Sequence, residues 1–385
     1  MKPTKILVTG ATGFIGSRLC ELLSLAHNLP YRALVRDFSR AARIARLDTE
    51  LFAGDMLDAG SLARAVDGCD VVVNLAHGDD QAAETQTAHL VDVCTRAKVR
   101  RFVHMSSMAV YGPSPKLPVI TESTAPIERW GEAYSDAKAA AEAVVRAAAK
   151  RGTLSTVILR PTIVYGPFSF FVTPIVQDAR QGRISLIDGG RGLCNAVYVD
   201  DVCESVVAGI FRDDAVGSIV QINGDTRITW RDFITTFADM VEGDKTIHDH
   251  SLDEIAAYWQ AQRPRARDSV TAAIRLAASP AFHAQLGTIP PVGKLIRSTK
   301  ELVARRITPE QKMLLKSRLQ GRKSAAAPGD ARPMRMPSEG RVVREAYRSW
   351  VTNDLAKARL GWAPAHSFAL GARRTGEWLR FARLV

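Results

Sequence analysis

The chain holds only 5 cysteines in 385 residues, an odd number with no paired metal-ligand spacing. This argues against a disulfide scaffold and a cysteine-held zinc site, and Cys20, Cys69, Cys94, Cys194 and Cys203 read as reduced, packed thiols. No apolar run approaches the roughly 20 residues that span a bilayer. The first strand starts at Lys5, with no charged-then-apolar leader before it, so a cytoplasmic location is expected. Histidine is scarce, at 8 residues without a cluster; no metal site is expected, and His77 and His104 read as neighbours of strand ends. Acidic residues are outnumbered, 40 against 52 Lys and Arg, but unevenly: residues 251–345 hold 18 Lys or Arg against 8 Asp or Glu, nearly all of the formal +12. At 46% hydrophobic residues the remainder can fill one large α/β core with a smaller C-terminal part.

Glycine is placed where it matters. Lys5-Ile6-Leu7-Val8-Thr9 is a short apolar strand that runs directly into Gly10-Ala11-Thr12-Gly13-Phe14-Ile15-Gly16, after which Phe14, Ile15, Leu19, Leu22 and Leu23 recur at helical spacing. A strand, a glycine turn and a helix start form a dinucleotide pyrophosphate site. One glycine makes the tight turn, one admits phosphate to backbone N–H groups, and one lets the helix pack on the strand. The second strand, Tyr31 to Arg36, ends where an adenosine ribose would lie. A carboxylate there suits NAD, and a guanidinium suits the 2′-phosphate of NADP. Arg36 at the tip, with Arg40 behind and Asp37 beside it, favours NADP(H) over NAD(H). Leu51 to Asp58 reads as a third strand opening into a turn, with Asp55 placed to accept from the adenine amino group. Asp70 to Ala76 and Arg101 to Ser107 are the fourth and fifth strands. Such alternation predicts a doubly wound parallel sheet.

Tyr134 and Lys138 stand four residues apart in Ala-Tyr-Ser-Asp-Ala-Lys, which stacks a phenol and an amine on one helix face. The ammonium can bias the phenol toward phenolate and make it a general base. A tyrosine titrating near 10 needs a shift of roughly 2 to 3 units, about 3 to 4 kcal/mol, to act near neutrality.

Taken in order, Thr9 to Gly16, Gly54-Asp55, Ser106 to Gly112, Tyr134-x-x-x-Lys138, Leu159-Arg160-Pro161 with Val164 to Pro167, and Val197 to Val202 resemble the extended short-chain dehydrogenases/reductases of the NAD(P)-dependent epimerase/dehydratase type. The resemblance covers about residues 4–240 and resumes at Asp354 to Pro364. It implies a Rossmann-type fold, with Tyr134 as acid/base, Lys138 as its electrostatic partner and ribose ligand, and Ser107, with Ser106 the alternative, as donor to the reacting oxygen. The implied cofactor contacts are Gly10, Thr12, Gly13, Phe14, Ile15, Gly16, Arg36, Asp55, Met56, Ala76, Tyr134, Lys138 and Pro161. A homodimer is implied as well. The implied reaction moves a hydride between nicotinamide and a carbinol carbon, first of a sugar or nucleotide-sugar. Ile163 and Cys194-Asn195 replace an Asn and an Arg-Asp pair that nucleotide-sugar enzymes carry, and Arg191 is the expected substitute cation. Reduction of a hydrophobic ketone, in the manner of 3β-hydroxysteroid dehydrogenases, is the alternative. A non-catalytic NADP sensor is a third reading, which the trio of Ser107, Tyr134 and Lys138 disfavours.

The domains expected are a core of residues 1–244 with 346–385, and a basic, mainly helical insertion at 245–345. Val292, Leu295, Ile296, Leu302, Val303 and Ile307 recur at near-helical spacing beside Lys and Arg. This basic amphipathic stretch, 290–320, is expected either to pack as an added helical layer or to touch anionic lipid or cover the substrate. No specific nucleic-acid contact is expected, since high charge alone gives non-specific attraction.

Overall fold

The computed structural model describes residues 5–112, 117–124, 126, 129–262 and 336–385. The chain divides into two units, residues 1–252 with 337–385, and residues 253–336.

In the first unit the apolar runs become a parallel sheet. β1 (Ile6–Thr9), α1 (Phe14–Leu25), β2 (Tyr31–Val35), β3 (Glu50–Ala53), α2 (Ala59–Val66), β4 (Val71–Asn74), α3 (Ala83–Arg96) and β5 (Arg101–Met105) alternate as expected. A short strand β6 (Val119–Ile120), the long α4 (Ala133–Lys150), β7 (Thr156–Pro161) and β8 (Ile163–Tyr165) follow. After them come α5 (Thr173–Ala179), β9 (Arg183–Ile187), β10 (Leu193–Cys194), β11 (Ala196–Tyr198), α6 (Val199–Phe211) and β12 (Ile219–Ile222). Seven strands pair in the order β12-β7-β5-β4-β1-β2-β3, all parallel. The winding reverses between β1 and β4, the switch point beyond whose strand ends doubly wound sheets bind ligands.

Side chains on a strand alternate between faces, and the sheet is covered on both. Ile6, Val8, Val71, Val73 and Val103 belong to one core cluster, while Leu7, Val72 and Phe102 belong to a second. That is why these strands read as continuous apolar runs rather than alternating ones.

Smaller pairs complete the unit: β8 with β11, β10 with β13 (Ile228–Thr229), and β9 with β14 (Thr246–His250). Between the last two lies α7 (Trp230–Ala238), which opens with a capping box of Thr229 and Asp232. Helix α8 (Leu252–Gln262) follows β14; its residues 253–262, with Met336, are the part of the second unit that is described. The chain returns with α9 (Glu339–Glu345), β15 (Trp350–Val351) beside β6, α10 (Asp354–Leu360) and α11 (Phe368–Phe381).

The flanks of the expected 245–345 insertion lie in the first unit. Thr246–His250 is a strand in register with Arg183–Ile187, and Arg341 of α9 donates to the Ser185 hydroxyl and carbonyl. The 290–320 stretch lies outside the described residues. No described helix is long and apolar enough to cross a membrane.

Candidate functional site

The glycine turn is built for close approach. Gly10 has φ +69°, and a Cβ there would sit 2.7 Å from the backbone of Leu75 and Ala76; a Cβ on Gly16 would sit 2.1 Å from the Gly10 carbonyl oxygen. α1 therefore packs against the turn with no room for a side chain. Its N-cap, Gly13, has no side chain to satisfy the first-turn N–H groups, which leaves them and the helix dipole for an anion. This cradle fits a dinucleotide pyrophosphate.

Arg36 is exposed at the end of β2. The Asp37 carboxylate accepts both the Ser39 N–H, at 2.9 Å, and the Ser39 hydroxyl, at 2.7 Å. These bonds hold its pKa below the usual carboxylate range, with help from Arg40 and Arg36. Asp55 lies on the neighbouring strand end, where Gly54 N donates to the Val35 carbonyl, and its Oδ1 accepts from Leu57 N. Met56 is buried behind it.

A cavity of about 620 Å³ runs from the glycine turn across the ends of β5 and β7. Among the residues expected at the site, Gly10, Gly13, Phe14, Ile15, Gly16, Ser107, Tyr134, Lys138 and Pro161 line it. Thr12, Arg36, Asp55, Met56 and Ala76 do not.

The two serines separate cleanly. Ser106 donates to Glu142 Oε2 at 2.6 Å inside a buried network in which Arg160 Nε also donates to Glu142, at 2.9 Å, and Arg160 Nη1 to the Tyr111 hydroxyl, at 2.6 Å. Ser107 caps the following turn, accepting from Ala109 N at 3.1 Å, and its hydroxyl is near enough to the Tyr134 phenol to favour the phenolate.

Glu132 caps α4 by accepting from Tyr134 N, Ser135 N and the Ser135 hydroxyl, which fixes the turn carrying Tyr134. Lys138, one turn on, is buried and donates to the Met105 carbonyl at 3.0 Å. Burial pushes its amine down to about 8, with Asp80 opposing. Tyr134 keeps 37% of its surface exposed, yet its titration moves up. Desolvation is the main cause, the Ser107 hydroxyl opposes it, and the Glu132 and Asp80 carboxylates add to it. The protein alone thus holds the phenol protonated, contrary to the depression that the Tyr-Lys spacing suggests. The reason is that burial of the phenol outweighs the Ser107 hydroxyl, and the Glu132 and Asp80 carboxylates act in the same direction as burial.

The outer cavity wall is aromatic. Met108, Trp130, Phe170, Phe171, Trp230 and Tyr347 line it together with Ile163 and one guanidinium, Arg344. Arg344 lies over Phe171 and Trp230, 5.3 and 5.8 Å from their ring centroids, and α9 carries it there. Arg191, the cation expected from the sequence, pairs with Asp188 instead and is not part of the wall. Nothing local marks Arg344 among the other arginines of its segment. Asn195 lines the cavity too, but its amide donates to Ser349 O and accepts from Val351 N, which fixes β15. The Cys194 thiol beside it is fully buried and pushed well up by burial. Among the described residues no group of three His, Cys, Asp or Glu could hold a metal ion.

Sheet, glycine cradle and cavity define an enzyme that works with a pyridine dinucleotide. The profile of the NAD dependent epimerase/dehydratase family matches residues 6–222, and the chain belongs to that family. It is an NAD(P)-dependent enzyme of the extended short-chain dehydrogenase type, moving a hydride between nicotinamide and a carbinol carbon of a small molecule.

Among curated proteins it is 28% identical, over 241 residues, to a 4-hydroxy-2-methyl-3-oxo-4-farnesyl-3,4-dihydroquinoline-1-oxide ketoreductase of Stigmatella aurantiaca, covering 60% of this chain and 71% of that one. It is 26% identical to a 2-alkyl-3-oxoalkanoate reductase of Shewanella oneidensis, covering 52% of this chain and 55% of the relative. The fold matches that of a UDP-glucuronic acid 4-epimerase from Bacillus cereus, solved with UDP-glucuronic acid and NAD. The TM-score is 0.65 at 18% identity, over 98% of this chain and 99% of the other.

Proposed function

We propose that the chain is an NADPH-dependent carbonyl reductase whose substrate has a large apolar part and an anionic group. The observation that carries this is the cavity wall, in which mostly apolar and aromatic side chains, with Glu132, accompany Arg344, the one guanidinium among the described lining residues. Burying a hydrocarbon or ring system against such a wall contributes about 25 cal/mol per Å². The Arg344 guanidinium lies against Phe171 and Trp230, with Glu345 Oε1 3.8 Å from one nitrogen and part of the side chain exposed, and its remaining N–H groups suit a carboxylate or phosphate. The two curated relatives support the reading, since both names describe reduction of an oxo group.

When bound, NADPH supplies the hydride. Tyr134 then gives its phenolic proton to the oxygen that becomes the alcohol, and the Ser107 hydroxyl donates a hydrogen bond to that oxygen as charge develops on it. Lys138, one turn along α4 from Tyr134 and held by the Met105 carbonyl, would hold the cofactor ribose when it is bound. Ser106 is committed to Glu142, which leaves Ser107 for this task. A phenol held protonated suits reduction, because the proton must be present before the carbonyl arrives.

A sugar or nucleotide-sugar is the second reading, favoured by Arg344 beside two aromatic faces, an arrangement that also suits a diphosphate and a base, and by the UDP-sugar in the fold neighbour. A panel of 2-alkyl-3-oxo acids, aryl ketones and UDP- or dTDP-sugars, followed by loss of NADPH absorbance or by sugar isomer analysis, separates the two. Ketone reduction with kcat/KM on the order of 10⁴ M⁻¹s⁻¹ or more is expected. Conversion of nucleotide-sugars alone would overturn the proposal, and cofactor binding without any turnover would favour the sensor reading.

Arg36, unencumbered beside an Asp37 that Ser39 occupies, is proposed to pair with the 2′-phosphate. Arg36→Ser should lower kcat/KM for NADPH about 10- to 100-fold, the worth of a charge-assisted hydrogen bond, and leave the NADH value nearly unchanged. A wild-type preference for NADH would sink this assignment. The homodimer rests on the family resemblance and the lipid contact of residues 290–320 on sequence alone; sedimentation velocity and liposome flotation decide them.

A further inference from the structure

The loop after β4 carries a pair that the scheme above leaves unused. His77 lines the cavity, and its ring stands edge-on to the Tyr134 ring, with centroids 4.9 Å apart and planes at 85°. Aromatic rings prefer this arrangement over face-to-face stacking. On its other side the imidazole is anchored, with Nε2 2.9 Å from Asp80 Oδ1. Resting on the assignment of Tyr134 as proton donor, we propose that His77, locked by Asp80, is a positioning residue that clamps the Tyr134 ring and keeps its proton in place for a carbonyl oxygen.

Tyr134 lies in the first turn of α4 and is over a third exposed to the cavity, so its ring needs a lateral support to keep one rotamer while substrate enters. The groups facing it are Ser107 from the end of β5, Glu132 and Lys138 from its own helix, and His77 with Asp80 from the β4 loop; buried His104 on β5 lies within the field of Lys138. His77 is held below its ordinary range, first by burial and then by the Lys138 charge, while Asp80 opposes. It is therefore neutral near pH 7 and donates its Nε2 proton to Asp80. A neutral ring gives the phenol packing without the positive charge that would draw its proton off. The Asp80 carboxylate acts in the same direction, since negative charge beside a phenol raises its titration.

Kinetics of ketone reduction across pH test the clamp in three variants. His77→Ala should lower kcat about tenfold, with the KM values for ketone and NADPH within about twofold and the melting midpoint little changed. His77→Phe, which restores an aromatic edge, should recover most of that loss. Asp80→Asn removes a charge that holds the proton on Tyr134, so the alkaline limb of the kcat profile should move to lower pH. Unchanged kcat in His77→Ala, with an unmoved limb in Asp80→Asn, would overturn the proposal while an inactive Tyr134→Phe leaves the proton-donor assignment standing. Full activity of Tyr134→Phe would instead sink that assignment, and the clamp with it.

Discussion

Tyr134→Phe is expected to lower kcat for ketone reduction about a thousandfold, within the range of positioned acid–base catalysis, while leaving the NADPH dissociation constant within about threefold. The replacement removes one oxygen and keeps the ring that packs against His77, so the cradle at Gly10 to Gly16 and the Lys138 bond to Met105 are untouched. What is lost is the proton. Ser107 remains and can still donate a hydrogen bond to the carbonyl oxygen, but a hydroxyl titrating far above the phenol cannot complete the transfer. Fluorescence titration of NADPH beside steady-state kinetics reads both numbers. Turnover within tenfold of wild type would remove Tyr134 from the chemistry.

Arg160→Met should destabilise the protein by roughly 3–5 kcal/mol, because it strands the Glu142 carboxylate in the core. Both side chains of the pair are essentially buried, at 1% and 2% exposure, and Glu142 accepts from Ser106 as well. The network joins α4, which carries Tyr134 and Lys138, to β5 and β7, which lead to Ser107 and Pro161. Adding Glu142→Gln should restore much of the loss, since the stranded charge goes with it. Denaturant unfolding with single and double variants measures this. Arg160→Met as stable as wild type would mean that the buried pair is not what staples the helix to the sheet.

The cradle and the sheet were legible because their causes are local. A β-branched run of four residues in a sheet covered on both faces must be apolar throughout, and a glycine that would collide with Gly10 O at 2.1 Å can be nothing else. That Ser107, Tyr134 and Lys138 come to line one cavity was legible for a related reason, since each is tied to a helix turn or a strand end that the sequence announces. The cavity wall was not. Trp130, Phe171, Trp230 and the Arg344–Tyr347 stretch come from four separate parts of the chain, and no spacing in the sequence brings those parts together.

Arg344 illustrates the difficulty. It sits in a segment that reads as the end of a basic insertion, and only the return of α9 to β9 through Arg341 and Ser185 turns it inward. The direction of the Tyr134 shift was hidden likewise, because it is set first by burial, which only the folded packing creates, and the Asp80 carboxylate that adds to it lies 54 positions away. Glu142, four residues after Lys138, could have been found from its place on the buried face of α4, but a buried glutamate declares itself only once Arg160 is seen opposite.

The central claim is that this site delivers a hydride and a phenolic proton to a ketone that combines apolar bulk with an anionic group. The most direct measurement is incubation of wild-type protein with NADPH deuterated at the transferring position and a 2-alkyl-3-oxo acid, followed by mass spectrometry of the product. One deuterium at the new carbinol carbon, lost in Tyr134→Phe, is the predicted result. An undeuterated, unreduced keto acid alongside conversion of a nucleotide-sugar would contradict it.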